Sequence, residues 1–151
     1  MKLVIKYGAI IAACIGIWVL ADHYLLHISQ SESRLSLLTP VFFNLAQFIV
    51  LFLGLREKRS ENRGVLTIGK GIATGLAISL SYAIFASMFF VAFYLAVGSK
   101  MLENESTGFG NSQRDSHVLV GAFAGLFFGA LFGGLLYSIV ISFALRVRPT
   151  D

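Results

Sequence analysis

The chain has 151 residues, room for one domain, and 56% of them are hydrophobic against 13% charged. A soluble domain carries about a quarter charged residues, so this chain lacks the polar side chains to cover a water-facing surface, and its mean hydropathy of +0.78 points to an exterior solvated by lipid. The net charge of +4 does not imply nucleic acid, because the basic residues stand at the ends of apolar runs without interleaved aromatics. The single cysteine, Cys14, excludes an intrachain disulfide and, inside an apolar run, behaves as a small hydrophobe.

Four segments approach the roughly 20 apolar residues that a bilayer-spanning helix needs. In chain order the predicted spans are 7–26, 40–55, 71–97 and 118–145. Together they predict an all-α membrane protein, a four-transmembrane-helix bundle occupying 1–151 as one domain. The opening also has features of a secretory leader: Lys2 and Lys6 form a basic start, Val19, Leu20 and Ala21 resemble a cleavage site, and 11–14 loosely fits a lipoprotein box. Only four residues separate Lys6 from that box, too few for an apolar leader core, so a retained span is expected. Trp18 and Tyr24 suit one interfacial belt and Tyr7 the other.

The stretch 29–34 is polar and turn-forming, and Thr39 followed by Pro40 reads as an N-cap with proline at the first helical position. The second span is short, so it is expected either to begin earlier, through Leu35, Leu37 and Leu38, or to stand nearly upright. A run of mixed charge from Arg56 to Arg63 closes it, and Gly64 suits a turn. That run reads as a positive-inside anchor, with contact to anionic lipid head groups as a natural extra. The stretch 98–117 is polar with three glycines, a loop outside the membrane. Asn104, Glu105 and Ser106 match a glycosylation acceptor, of consequence only in a eukaryotic secretory pathway.

Lysine and arginine concentrate on cytoplasmic loops. Nine of the 12 fall on one side: Lys2, Lys6, Arg56, Lys58, Arg59, Arg63, Lys70, Arg146 and Arg148. The other side has Arg34, Lys100 and Arg114. The expected topology therefore has both termini and the 56–70 loop in the cytoplasm and the 27–39 and 98–117 loops outside. Asp22, Glu32, Glu103, Glu105 and Asp115 fall on the outer side, in agreement.

Small residues recur along the spans. Gly121, Gly125, Gly129 and Gly133 repeat every fourth residue in the fourth span, a smooth strip about 18 Å long at 1.5 Å per residue. The third span has Gly71, Gly75, Ser79, Ala83 and Ser87 in the same spacing, and the first has Gly8, Ala12 and Gly16. Such rows let helix backbones approach closely, and the third and fourth spans are expected to pack through them, with the first joining. Three readings of the Gly121–Gly133 row stay open: packing within the bundle, docking of another subunit or a second copy, or a groove for a lipid, quinone or pigment tail beside Phe123, Phe127, Phe128 and Phe132.

The central parts of the spans contain no Asp, Glu, Lys, Arg or His, which argues against a proton relay or an ion-coupled transporter. Their polar residues are Asn44, Gln47, Thr74, Ser79, Ser81, Ser87, Ser138 and Ser142, with Tyr82 and Tyr137. Asn44 and Gln47 share one helix face, and interhelical hydrogen bonding accounts for them better than a substrate site. His23 and His27 have the i, i+4 spacing of a metal-binding helix, and Asp22, Glu103, Glu105, Asp115 and His117 could complete a site. No fixed spacing links His117 to the pair, so His23, His27 and His117 are weak metal candidates. No catalytic motif and no cofactor are expected.

Three stretches resemble the bacterial membrane family called domain of unknown function 4199. Residues 1–8 share its basic opening and the Lys6, Tyr7, Gly8 step into the first helix. Residues 52–82 share the close of the second helix at Gly54, Arg56 and Arg59, then Gly64, a short apolar stretch, and the third helix. Residues 134–148 share a serine-containing closing helix and the terminal Arg146 and Arg148. The loop at 98–117 is shorter than the long charged segment of many relatives. The resemblance implies a four-helix bacterial inner-membrane protein and supplies no activity and no functional residues. The expected function is a non-enzymatic accessory or structural subunit of a larger membrane complex, or a homo-oligomer, with membrane lipids and protein subunits or itself as partners and no nucleic acid. A small transporter or channel, and a lipid-, quinone- or pigment-binding membrane protein, are the alternatives.

Overall fold

The computed structural model describes residues 1–21, 38–97 and 115–145. Among them the only regular secondary structure is helix: α1 (Lys2–Ala21), α2 (Leu38–Glu61), α3 (Ile68–Val97) and α4 (Asp115–Ala144). All four include a stretch long and apolar enough to cross a membrane. At 30 residues each, α3 and α4 are about 45 Å long, more than the roughly 30 Å of a bilayer's hydrocarbon core.

The helices outrun the predicted spans. α1 begins at Lys2, and α2 continues through Glu61, so most of the segment expected as a 56–70 loop is helical and the connection is 62–67. Arg, Glu and Lys are good helix formers, and Lys58 pairs with Glu61 at 2.8 Å along the helix surface. The change from apolar to charged residues thus marks where burial ends and not where the helix ends. Thr39 is not an N-cap, because α2 already includes Leu38. Its hydroxyl accepts a hydrogen bond from Trp18 Nε1 at 3.3 Å, and Pro40 is tolerated in the first turn, where its missing N–H has no partner to lose.

The α2–α3 connection is a defined turn. Gly64 N–H donates to the Arg59 carbonyl (2.9 Å) and Arg63 N–H to the Ser60 carbonyl (3.2 Å), the paired bonds of a Schellman close. Arg63 (φ 55°) and Gly64 (φ 84°) both take left-handed backbone. Arg59 Nε donates to the Gly64 carbonyl at 2.8 Å, bracing the turn from the helix side. Thr67 then caps α3, its hydroxyl accepting from Lys70 N–H at 3.4 Å.

The four helices run up, down, up, down. α3 has α1 on one side and α4 on the other, and α2 touches all three, whereas α1 and α4 do not meet among the described residues. α1 and α3 are parallel: Gly8 faces Ser81 and Tyr82, and Gly16 faces Phe89. A Cβ added at Gly8 would lie 2.9 Å from the Tyr82 backbone nitrogen, so here helix backbone sits against helix backbone. α1 and α2 are antiparallel, tied near one end by Lys6 and Tyr7 to Glu57 and at the other by Trp18 to Thr39. The core joins Tyr7, Ile11 and Ile15 of α1, Leu51 and Leu55 of α2, Ile78 and Tyr82 of α3, and Ala130 and Ile141 of α4.

The outside of the bundle is also apolar. Ile17, Val41, Leu45, Met88, Leu95, Phe128, Phe132, Leu136, Val140 and Phe143 are all more than half exposed, and at most 39% of any span is buried within the bundle. Exposed apolar surface on that scale is an aggregation hazard in water and the ordinary exterior of a protein in lipid.

The α1–α3 contact yields a test. In purified protein, Gly8→Val should lower the unfolding temperature, with a cost of roughly 1–3 kcal/mol or more for overpacking a site closed by backbone. Gly69→Val, at an exposed helical position with nothing within 4 Å of an added Cβ, should change it little. Thermal unfolding followed by circular dichroism separates the two.

Candidate interaction surface and the seam behind it

α3 and α4 make the most extensive helix contact, and it runs through small residues in an unbroken antiparallel register. Gly71 faces Ser142, Gly75 faces Ser138, and Ser79 faces Gly134. The same step of four sets Ala83 level with Ala130, and both are buried. At each of the first three levels one helix contributes a glycine and the other a serine. A Cβ at Gly75 would lie 2.6 Å from Ser138 Cβ, and one at Gly71 would lie 2.9 Å from Ser142 Cβ. No residue with a side chain fits at those glycines without separating the helices.

The seam satisfies its own polarity in part. Ser138 Oγ donates to the Gly134 carbonyl within α4 (2.5 Å). The hydroxyls of Ser79 and Ser142 are fully buried with no hydrogen-bond partner among the described residues. Each lies on the facing glycine, where a Cα–H···O contact between helices is available. Ser87 Oγ is likewise buried and without such a bond.

α2 closes over the seam with amides. Gln47, 5% exposed, donates from Nε2 to the Ala130 carbonyl at 2.8 Å, and its amide lies against Gly133 and Gly134. Tyr137 OH donates to Asn44 Oδ1 at 2.6 Å, while Asn44 Nδ2 donates to the Pro40 carbonyl at 2.7 Å. The two polar residues on one face of α2 therefore both bind α2 to α4. Phe48 packs edge-on against the Tyr137 ring at 5.6 Å between centroids.

The expected α3 row of Gly71, Gly75, Ser79 and Ala83 is buried in this contact. The α4 row is not its counterpart. Gly121, Gly125 and Gly129 are exposed, and a Cβ added at any of them would meet nothing within 4 Å. Gly133 is half-buried beside Gln47. The expectation that the third and fourth spans pack through both glycine rows is therefore corrected. α4 turns Ala130, Gly134, Ser138 and Ser142 to α3 and leaves the Gly121–Gly129 strip bare. The inner row is built of small residues, and its Ser138 and Ser142 hydroxyls meet Gly75 and Gly71 on α3. That row stood in the sequence at the same spacing of four, read only as scattered polar serines.

Along the bare strip the neighbours are aromatic. Phe123 stacks on Phe127 (6.4 Å between centroids), and Phe127 meets Phe128 edge-on at 5.8 Å. Phe127 reaches the core cluster, while Phe128 and Phe132 stand largely exposed.

Of the weak metal candidates, His23 and His27 lie outside the described residues, as do Asp22, Glu103 and Glu105. His117 is in the first turn of α4. Among the described residues no three His, Cys, Asp or Glu side chains are grouped as a metal site. A charged cluster missed from the sequence ties α1 to α2: Glu57 accepts from Lys6 Nζ at 2.8 Å and from Tyr7 OH at 2.5 Å, and Lys6 Nζ lies 4.9 Å from the Tyr7 ring centre. Nothing in the spacing of residues 50 apart signals such a pair.

The fold and its exterior define the class, a helical protein with four candidate membrane-spanning helices, which points to a multi-pass membrane protein. Comparison with family models, with curated proteins and with solved structures finds no match.

Gln47→Leu keeps the volume and removes the bond to Ala130. It should destabilise the bundle by about 0.6 kcal/mol, the average for a hydrogen bond between membrane helices, and by no more than about 1.7 kcal/mol. Unfolding of the purified protein in mixed micelles measures the change.

Proposed function

We propose that this chain is a non-enzymatic, multi-pass protein of a bacterial inner membrane that acts as an accessory or structural subunit, docking a helix of another subunit or of a second copy along Gly121, Gly125 and Gly129 of α4. One observation carries the reading: three glycines in a row are exposed with open space before them, on a helix whose other small-residue row is taken by α3. A glycine strip contributes nothing to burial in lipid and lets a second backbone come close enough for dispersion and Cα–H contacts. The resemblance of 1–8, 52–82 and 134–148 to domain of unknown function 4199 is part of this proposal and supports the same placement.

The proposed orientation has both termini and the α2–α3 turn in the cytoplasm. The charge asymmetry supports it, nine basic residues against three. The transporter alternative has less support, because the Asn44 and Gln47 amides are engaged with Tyr137 and Ala130 of α4.

Gentle detergent extraction followed by sizing and mass spectrometry tests the docking. The wild-type protein should leave the membrane in an assembly of defined stoichiometry. The pair Gly125→Leu with Gly129→Leu should release it as a monomer with an unchanged unfolding temperature, since neither side chain meets the bundle. A wild-type monomer, or an assembly indifferent to both substitutions, would refute the docking.

Orientation has its own measurement. In intact cells of a Cys14→Ser background, a membrane-impermeant maleimide should label Ser106→Cys and spare Ser60→Cys, and the reverse pattern would invert the topology.

A further inference from the structure

Two amide atoms at the α2–α4 edge have no partner within the chain. Gln47 is 5% exposed and donates from Nε2 to the Ala130 carbonyl, but its Oε1 accepts no hydrogen bond among the described residues. That oxygen lies 3.3 Å from where a Cβ on Gly133 would stand. Asn44 donates one N–H to the Pro40 carbonyl and accepts from Tyr137 OH, which leaves its second N–H free among the described residues. Among the described residues of the four predicted spans, Asn44 is the one exposed polar side chain.

The contacts bring these groups to one place. Tyr137 Cε2 lies 3.7 Å from the same Cβ position on Gly133, and Tyr137 OH is bonded to Asn44. Gly129, one turn before Gly133 in the same row, is exposed with open space before it. A free acceptor and a free donor therefore flank the Gly133 end of the glycine row.

Lipid tails satisfy neither atom. Both residues belong to the candidate span Thr39–Glu61, and in a bilayer an amide without a partner is costly. Gln47 is eight residues, about 12 Å, along the helix from Thr39, which Trp18 holds at the interfacial belt, so head groups do not reach it. A helix brings side chains to every depth. The unmet pair is also self-complementary: one chain has both the donor and the acceptor, so a two-fold axis closes two identical bonds with no group left over. A foreign helix would have to supply both complements separately.

We propose that a second copy of this chain docks here, its α2 lying along Gly125 and Gly129 of α4, with Asn44 of each copy donating to Gln47 Oε1 of the other. The inference rests on the glycine strip being a docking face and names its occupant.

Mixing variants tests the bond between copies. Full-length protein in a Cys14→Ser background is labelled at Ser60→Cys with donor or acceptor dye, reconstituted in liposomes, and energy transfer is followed against protein-to-lipid ratio. Wild-type copies should associate. Asn44→Ala paired with itself, and Gln47→Leu paired with itself, each lose both bonds and should associate roughly eightfold more weakly, for two bonds of average strength between membrane helices. Asn44→Ala mixed with Gln47→Leu keeps one bond and should be only about threefold weaker than wild type, tighter than either variant with itself. Tyr137→Phe, which removes the bond of Asn44 within its own chain, should associate as wild type does. A mixed pair no tighter than the two variants alone would make both effects internal to one chain and overturn the proposal, as would variants that associate like the wild type. An assembly containing a foreign chain, with no transfer between copies, would overturn the second copy and leave the strip as a docking face. Transfer unchanged by Gly125→Leu with Gly129→Leu would remove the strip from the contact, and the proposal with it.

Discussion

In lipid, apolar side chains gain little by leaving one apolar surrounding for another, so burial of leucine and isoleucine does not by itself hold helices together. What remains is close approach. In this bundle it is supplied by glycines that meet serines across the α3–α4 seam, Gly71 with Ser142, Gly75 with Ser138 and Gly134 with Ser79. The contacts of α2 with α4 depend on that one. α2 reaches Ala130 and Tyr137 only because α4 is held against α3 at this depth, and α1 lies on α3 through Gly8 and Gly16 on a different face. The seam also decides the outer surface, since a helix that spends one small-residue row on its neighbour has only the other to offer a partner.

Around this seam the polar groups act as locators. Gln47 and Asn44 fix how α2 sits on α4, and the Glu57 cluster and the Trp18–Thr39 bond fix α1 on α2 towards opposite ends. Trp18 also stacks on Phe42, 4.3 Å between ring centres. These contacts set register and rotation between helices whose apolar faces are nearly uniform. No locator involves a charged group in the middle of a span, where a charge is costly.

Much of this is legible in the sequence, and the failures have physical causes. Four helices follow from length and hydropathy. The turn at Gly64 follows from glycine's tolerance of left-handed backbone, and the structure adds Arg63 in the same region. The helices run past the expected spans because an apolar run ends where apolar surroundings end, whereas Arg56 to Glu61 remain good helix formers beyond it. The α3 row of Gly71, Gly75, Ser79 and Ala83 lies in the contact with α4. Its partner on α4 is hard to see in the sequence, because Gly121 to Gly133 is the purer pattern, while Ala130, Gly134, Ser138 and Ser142 mix residue types. A spacing rule sees glycines, but in the contact only one side of each of the first three levels is a glycine, and the fourth sets Ala83 against Ala130. The direction in which the purer row faces is set by rotation of α4 about its axis, which no periodicity within α4 reports.

That rotation can be measured directly by cysteine cross-linking in native membranes, in a Cys14→Ser background. Ala83→Cys is combined either with Ala130→Cys, on the row that faces α3, or with Gly129→Cys, at nearly the same depth on the Gly121–Gly133 row. Oxidation should join 83 to 130 within one chain and leave the 83 and 129 pair unlinked. Rapid linkage of 83 to 129, with none to 130, would place the glycine strip against α3 and contradict both the seam and the free face built on it.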